Sequence, residues 1–142
     1  MSKRNTYLFV FDIFIAILKI EKVSSAYIDA DKLKHDFMAW DSIIREFEII
    51  GEASKHLIKA EIFDKEYRTI VDFRNVLIHA YFGIDEDEVW QIIHHNLNDI
   101  KELTQEIIKQ LDDEIRNNFI LDMLEENKYY DFIVKDLNQL NG

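Results

Sequence analysis

The sequence predicts an all-α protein, and three observations carry that expectation. Its 142 residues include no proline and three glycines, too few chain-breakers for the many turns of a sheet-rich fold. Hydrophobic residues make up 48% of the chain, enough to bury a core and too many for a disordered polymer. Apolar positions also recur at three- and four-residue steps over most of the length, the spacing of one helical face. One compact domain over residues 1–142 is the natural outcome at this size, with residues 112–142 as an acidic helical extension.

From about Asn5 to Glu21 nearly every turn offers Leu, Ile, Val or Phe, so a first helix should be buried on most of its circumference. The apolar run from Tyr7 to Ile20 is short for a membrane span and carries Asp12, and no small-residue cleavage site follows it, so a buried helix is expected instead. Val23 to Asp29 reads as a loop, with Asp29 or Asp31 able to cap a short turn through His35. A second main helix, from near Asp36 or Asp41 to Ala60, is marked by Phe37, Trp40, Ile44, Phe47, Gly51 and Ile58. Gly51 inside that stripe costs helix stability and predicts the close approach of a neighbouring helix. Glu46, Glu48, Glu52 and Lys55 fall largely off the stripe and are expected to face water.

Asp64 is placed to cap a third helix, with Tyr67, Ile70, Phe73, Leu77 and Ala80 facing inward and Gly83 ending it in a left-handed conformation. Asp85 with Glu88 resembles a capping box for a fourth helix. That helix continues through Val89, Ile93, Leu97, Ile100, Ile107 and Leu111, with Asn96-Leu97-Asn98 able to bend or break it. Beyond Leu111, Phe119, Met123, Tyr130, Ile133 and Leu137 keep helical spacing among many acids. One or two more helices, packed on the bundle or on a partner, should form there.

The net charge of -11 argues against a general nucleic-acid coat protein, since phosphate binding is driven by Lys and Arg. A nuclease with a small basic cleft is still allowed. The absence of cysteine removes disulfides and thiolate metal sites and suits a reducing cytoplasm. No Gly-rich phosphate loop, Gly-x-Ser-x-Gly elbow or His-Glu-x-x-His occurs. His94 and His95 diverge by about 100° on a helix and make no i,i+4 metal pair. His95 and Asp99 have hydrogen-bond spacing, and His35 and His56 read as isolated surface residues. Neither metal nor cofactor is expected.

Arg74, His79 and Tyr81 stand out within Asp72–Gly83, a stretch that otherwise reads as the apolar face of a helix. Arginine offers a permanently charged planar fork for phosphate oxygens, and histidine exchanges protons near neutral pH. Arg74 and Tyr81 lie nearly on one helical line, and Asn75 shares a second line with His79. Arg74 and His79 diverge by about 140° on a regular helix, so one helix cannot easily aim both at a single phosphorus. Either the helix end is distorted or a second copy supplies the missing group. The same residues admit a structural role, with His79 a core histidine, Arg74 paired to Asp72 or Glu52, and Tyr81 packing.

Arg74-x4-His79-x-Tyr81 resembles the signature of the HepT-type toxins of the HEPN superfamily. The likeness extends over Ile43–Ala53, over Arg74–Asp85 and to Val89-Trp90, about half the chain. The proline such proteins often carry before the third helix is absent, and the acidic segment after Leu111 has no counterpart. The resemblance implies an antiparallel all-α HEPN-type bundle with an additional C-terminal helix, paired into a homodimer whose Arg-x4-His segments share a cleft. It further implies a metal-independent endoribonuclease toxin of a type VII-like HepT/MntA toxin–antitoxin system. Arg74 and His79 would be catalytic and Asn75 supporting. A minimal nucleotidyltransferase antitoxin would transfer AMP onto Tyr81, and dimers could assemble further with it. The alternative is a non-catalytic module that binds a nucleotide or docks the nucleotidyltransferase.

Overall fold

The computed structural model describes residues 3–80 and 83–141, which form eight α-helices and one short 3-10 turn, with no strand among them. In chain order the helices are α1 (Lys3–Ser24), α2 (Ala30–Lys34), α3 (Phe37–Lys59), α4 (Arg68–His79), α5 (Glu86–His95), α6 (Leu97–Lys109), α7 (Asp113–Glu126) and α8 (Asp131–Gln139). The 3-10 turn, Lys65–Tyr67, leads into α4.

α1 is the central rod. Val10, Phe11, Ile13, Phe14, Ala16, Ile17 and Ile20 are wholly buried, because α3, α6 and α8 all pack against it. A helix apolar on most of its circumference is stable only under such cover. α3 lies antiparallel to α1, since Phe9 stacks on His56 at one end and Lys19 lies near Glu46 towards the other. α4 packs on the far side of α3.

Start signals follow side-chain chemistry closely. Asp29 Oδ1 accepts from the Lys32 amide at 2.8 Å, and Asp36 Oδ1 from the Ala39 amide at 3.3 Å, capping α2 and α3. Asp85 Oδ1 accepts from the Asp87 amide at 2.9 Å and starts α5. Asp64 makes no such capping bond, and the 3-10 turn takes up the entry to α4 instead. The chain breaks between α5 and α6 at Asn96, where the Asn-Leu-Asn sequence suggested it.

Left-handed backbone occurs at Glu61 (φ 61) and at no described glycine. There the Ile62 amide donates to Leu57 O at 2.9 Å and the Glu61 amide to Ile58 O at 3.0 Å, closing α3 in a Schellman motif without glycine. Gly83 does not perform the expected role, because α4 already stops at His79. Phe37 is also not part of the inward stripe: it is the first residue of α3 and is 72% exposed.

α7 and α8 belong to the same core. Phe119, Ile120, Met123, Ile133, Leu137 and Leu140 are buried in one hydrophobic cluster with α1, and the Phe119 and Phe11 rings lie 5.4 Å apart. No described helix is long and apolar enough to cross a membrane.

Candidate functional site

α4 presents two different environments on one short helix. Its buried residues Ile70, Val71, Phe73 and Leu77 define its inward side. At 100° per residue Arg74 lies about 45° from the centre of that side, and His79 about 175° from it. Arg74 is accordingly half-buried, while His79 is exposed at the last helical position. The flanking Val76 and Ile78 are 52% and 41% exposed, unusual for aliphatic residues on an otherwise amphipathic helix. His79 is therefore not a core histidine.

Arg74 is held from three sides. Its Nη2 lies 3.2 Å from Glu52 Oε2 on α3, and its Nη1 donates to Asn75 Oδ1 at 3.0 Å. The stem crosses α3 at Gly51, where any Cβ would collide with Arg74 Cβ and come within 2.5 Å of its Cγ. The helix-weakening glycine thus has the structural reason its position suggested, a close helix crossing. The buried Nε has no hydrogen-bond partner among the described residues. Of the two carboxylates the sequence offered to Arg74, Glu52 is the one used; Asp72 lies 4.0 Å from Arg68.

Glu52 was expected to face water and instead joins a chain of contacts across three helices. It also lies 3.4 Å from His56 Nε2, whose ring stacks on Phe9 of α1 at 4.5 Å and 4° between planes. In the sequence this network shows as the i,i+4 spacing of Glu52 and His56 and as the option of an Arg74–Glu52 pair; the stacking of His56 on Phe9 leaves no trace there. His56 is neither isolated nor a simple surface residue. Asn75, read as a support for His79, serves the guanidinium in this geometry.

Arg74 also lines a cavity of about 280 Å³ between α1 and α3, in which Arg45 and Arg74 face Asp12, Glu48 and Glu52. His79 does not line it. One subunit therefore separates the two groups, as regular helix geometry requires. A second groove of about 620 Å³ runs between α4, α5 and α6 over Phe73, Val76, Ile92 and Ile100, and carries Glu66, Asp72, Glu88 and Asp99. Tyr67 borders it, and burial followed by the charges of Glu66, Asp64 and Asp99 pushes its phenol pKa up. Tyr81 lies outside the described residues. No cluster of three His, Asp or Glu side chains among the described residues could hold a metal ion.

A family model described as "Ribonuclease HepT-like" matches residues 14–107, from the middle of α1 nearly to the end of α6. The chain belongs to the HepT-like family. It is 33% identical over 104 residues to "Putative RNase MJ1380" of Methanocaldococcus jannaschii, covering 71% of this chain and 94% of that one. Similarity to "Putative RNase MJ0127" of the same organism is 33% over 124 residues, covering 83% and 99% of the two chains. "Probable ribonuclease HepT" of Thermococcus cleftensis is 36% identical over 63 residues, 42% of this chain and 57% of its own. No solved structure matches. The family match stops before α7, so the two C-terminal helices lie beyond the part this HepT-like chain shares with the family model.

Proposed function

We propose that this HepT-like protein is a metal-independent endoribonuclease whose reactive groups come together across the interface of a homodimer. The observation that carries this reading is the split on α4: Arg74 is braced on its flank by Glu52 and Asn75, while His79 faces outward beside exposed Val76 and Ile78. An outward imidazole between uncovered aliphatic side chains is suited to a second copy that buries the aliphatics and adds its own Arg74.

In the proposed reaction an RNA 2′-OH attacks the adjacent phosphorus while His79 takes or returns the proton. Arg74 compensates charge on the non-bridging oxygens, worth ~3–4 kcal/mol for a well-placed donor in a water-poor cleft. Glu52 and Asn75 keep the guanidinium fork oriented. The 5′-oxygen leaves with a proton, giving a 2′,3′-cyclic phosphate and a 5′-OH. Purified wild type should cleave RNA in EDTA, with activity reduced at least ~100-fold in His79→Ala and Arg74→Ala. Undiminished cleavage by either variant removes that residue from the mechanism.

Tyr81 is the proposed control point of a toxin–antitoxin pair. AMP transferred to it by a minimal nucleotidyltransferase would add a bulky anion and exclude RNA by volume and charge. Co-expression with that enzyme should add one AMP mass to wild type and none to Tyr81→Phe; an unmodified wild type would count against the assignment. A second reading is favoured by the acid-bearing groove between α4, α5 and α6, which repels RNA and better suits docking of a partner protein. If docking is the whole function, induced expression leaves growth unaffected, and wild type and His79→Ala behave alike.

A further inference from the structure

The carboxylate of Glu52 stands between two donors. Its Oε2 lies 3.2 Å from Arg74 Nη2, and its Oε1 lies 3.4 Å from His56 Nε2, one turn along α3. The imidazole is fixed from its other side by Phe9 of α1, ring on ring at 4.5 Å with 4° between the planes. Glu52 and Arg74 line the cavity of about 280 Å³, and His56 does not. Glu48, the other α3 acid of that cavity, has its own partner in Arg45 at 3.8 Å.

Arg74 has to offer charge and N–H donors to a phosphate in the reaction proposed above, on which this inference rests. Both ends of its fork are engaged within the subunit, Nη2 by Glu52 and Nη1 by Asn75. Asn75 is neutral and leaves the guanidinium charge intact, whereas Glu52 offsets it. A carboxylate that stays there competes with each phosphate that approaches. The other donor it meets among the described residues is His56, whose Nε2–H can point at Oε1 whether or not the ring is charged. Because Phe9 already holds that ring, little side-chain freedom is lost when Glu52 settles on it.

We propose that His56 is a positioning residue for Arg74, receiving the Glu52 carboxylate as an RNA phosphate displaces it from the guanidinium. No covalent bond or proton changes hands. Glu52 exchanges a donor on Arg74 for the one on His56, and Arg74 Nη2 exchanges a carboxylate oxygen for a phosphate oxygen. Both contacts of Glu52 are partly exposed, so the exchange turns on small free-energy differences and breaks no buried ion pair. Its effect is on binding, not on the chemical step.

His56→Phe keeps a ring against Phe9 and removes the donor, while His56→Gln keeps a donor. RNA cleavage is measured for both, alone and combined with Glu52→Gln, beside binding of a single-stranded oligodeoxynucleotide. That probe lacks the attacking 2′-OH, so it reads the exchange even where cleavage fails. Failure of the ribonuclease reading shows separately, as equal cleavage by wild type and His79→Ala. His56→Phe should weaken DNA binding and raise the KM for RNA about threefold each, with kcat changed less than about twofold. His56→Gln should stay close to wild type. In the Glu52→Gln background His56→Phe should have no further effect, since no carboxylate then needs a new partner; a general loss of structure would persist there. DNA binding that is absent in wild type or unaffected by Arg74→Ala, unchanged values in His56→Phe, or an equal loss with and without Glu52 would each overturn the proposal.

Discussion

Gly51 and Glu52 set what Arg74 can do, and each gives a separable prediction. In Gly51→Ala the new methyl overlaps Arg74 Cβ, an atom next to the backbone that cannot swing away. The overpacking should cost about 1–3 kcal/mol, more than the roughly 1 kcal/mol that alanine gains over glycine within a helix. A lower urea midpoint with unchanged slope is expected, together with slower RNA cleavage as the guanidinium shifts. Glu52→Gln leaves the packing intact and removes the charge 3.2 Å from Arg74. The pair is partly exposed on both sides, so stability should change by less than ~1 kcal/mol. Salt should weaken RNA binding by the variant more steeply than by wild type, because Arg74 then meets phosphate without an internal competitor. Glu46 carries the opposite logic. Its folded pKa is raised by burial, so the folded state holds the proton more tightly than the unfolded chain. The ionised form penalises folding above the folded pKa, and the penalty disappears as pH falls to the ordinary carboxylate range. Glu46→Gln should melt higher than wild type at neutral pH, with the gap closing in acid; a variant less stable at pH 7 would contradict this.

Among the elements, α3 and the C-terminal pair show what a sequence reveals and what it hides. The α3 stripe was readable because buried residues repeat at helical steps, and its start was readable because Asp36 has a local capping partner in Ala39. The stop was not: Glu61 adopts the left-handed turn that glycine usually takes, and no local pattern marks that choice. Glu46 was expected to face water for a related reason, as was Glu52, although a pairing of Glu52 with Arg74 was among the alternatives. Helical spacing places them beside the stripe, but α7 covers one and Arg74 reaches the other, and both neighbours are distant in sequence. Arg74 and His79 were legible as a pair of chemical groups and as a geometric conflict; their opposite exposure required the fold. The C-terminal helices kept apolar spacing, so their formation was expected, while their place against α1 was not. Phe119 is the residue to test there. Its ring sits 5.4 Å from that of Phe11 and is buried, so Phe119→Ala should cost about 3–5 kcal/mol in chemical denaturation. A loss under ~1 kcal/mol would mean that α7 is not an integral part of the core.

For the whole molecule the decisive property is whether a single chain can assemble a reactive centre. Within α4 the two groups point about 140° apart, Arg74 lines a cavity that His79 does not enter, and His79 is exposed. A shared site between two subunits has a consequence that no single-chain site can imitate. With such a site, Arg74→Ala and His79→Ala should each be inactive as homodimers. In a mixed dimer, one composite site has lost both groups and the other keeps an intact Arg74 from one subunit facing an intact His79 from its neighbour. Random exchange makes half of the dimers mixed, each with one working site of two, so activity should return to about a quarter of wild type. Exchange can be driven by mild urea and followed by native mass spectrometry, with cleavage measured on the same samples. If mixed dimers form and activity stays at the level of the separate variants, Arg74 and His79 must serve from the same chain, and the interfacial site is wrong. If no dimer forms at any concentration while wild type still cleaves RNA, α4 must distort on binding substrate to bring both groups to one phosphate.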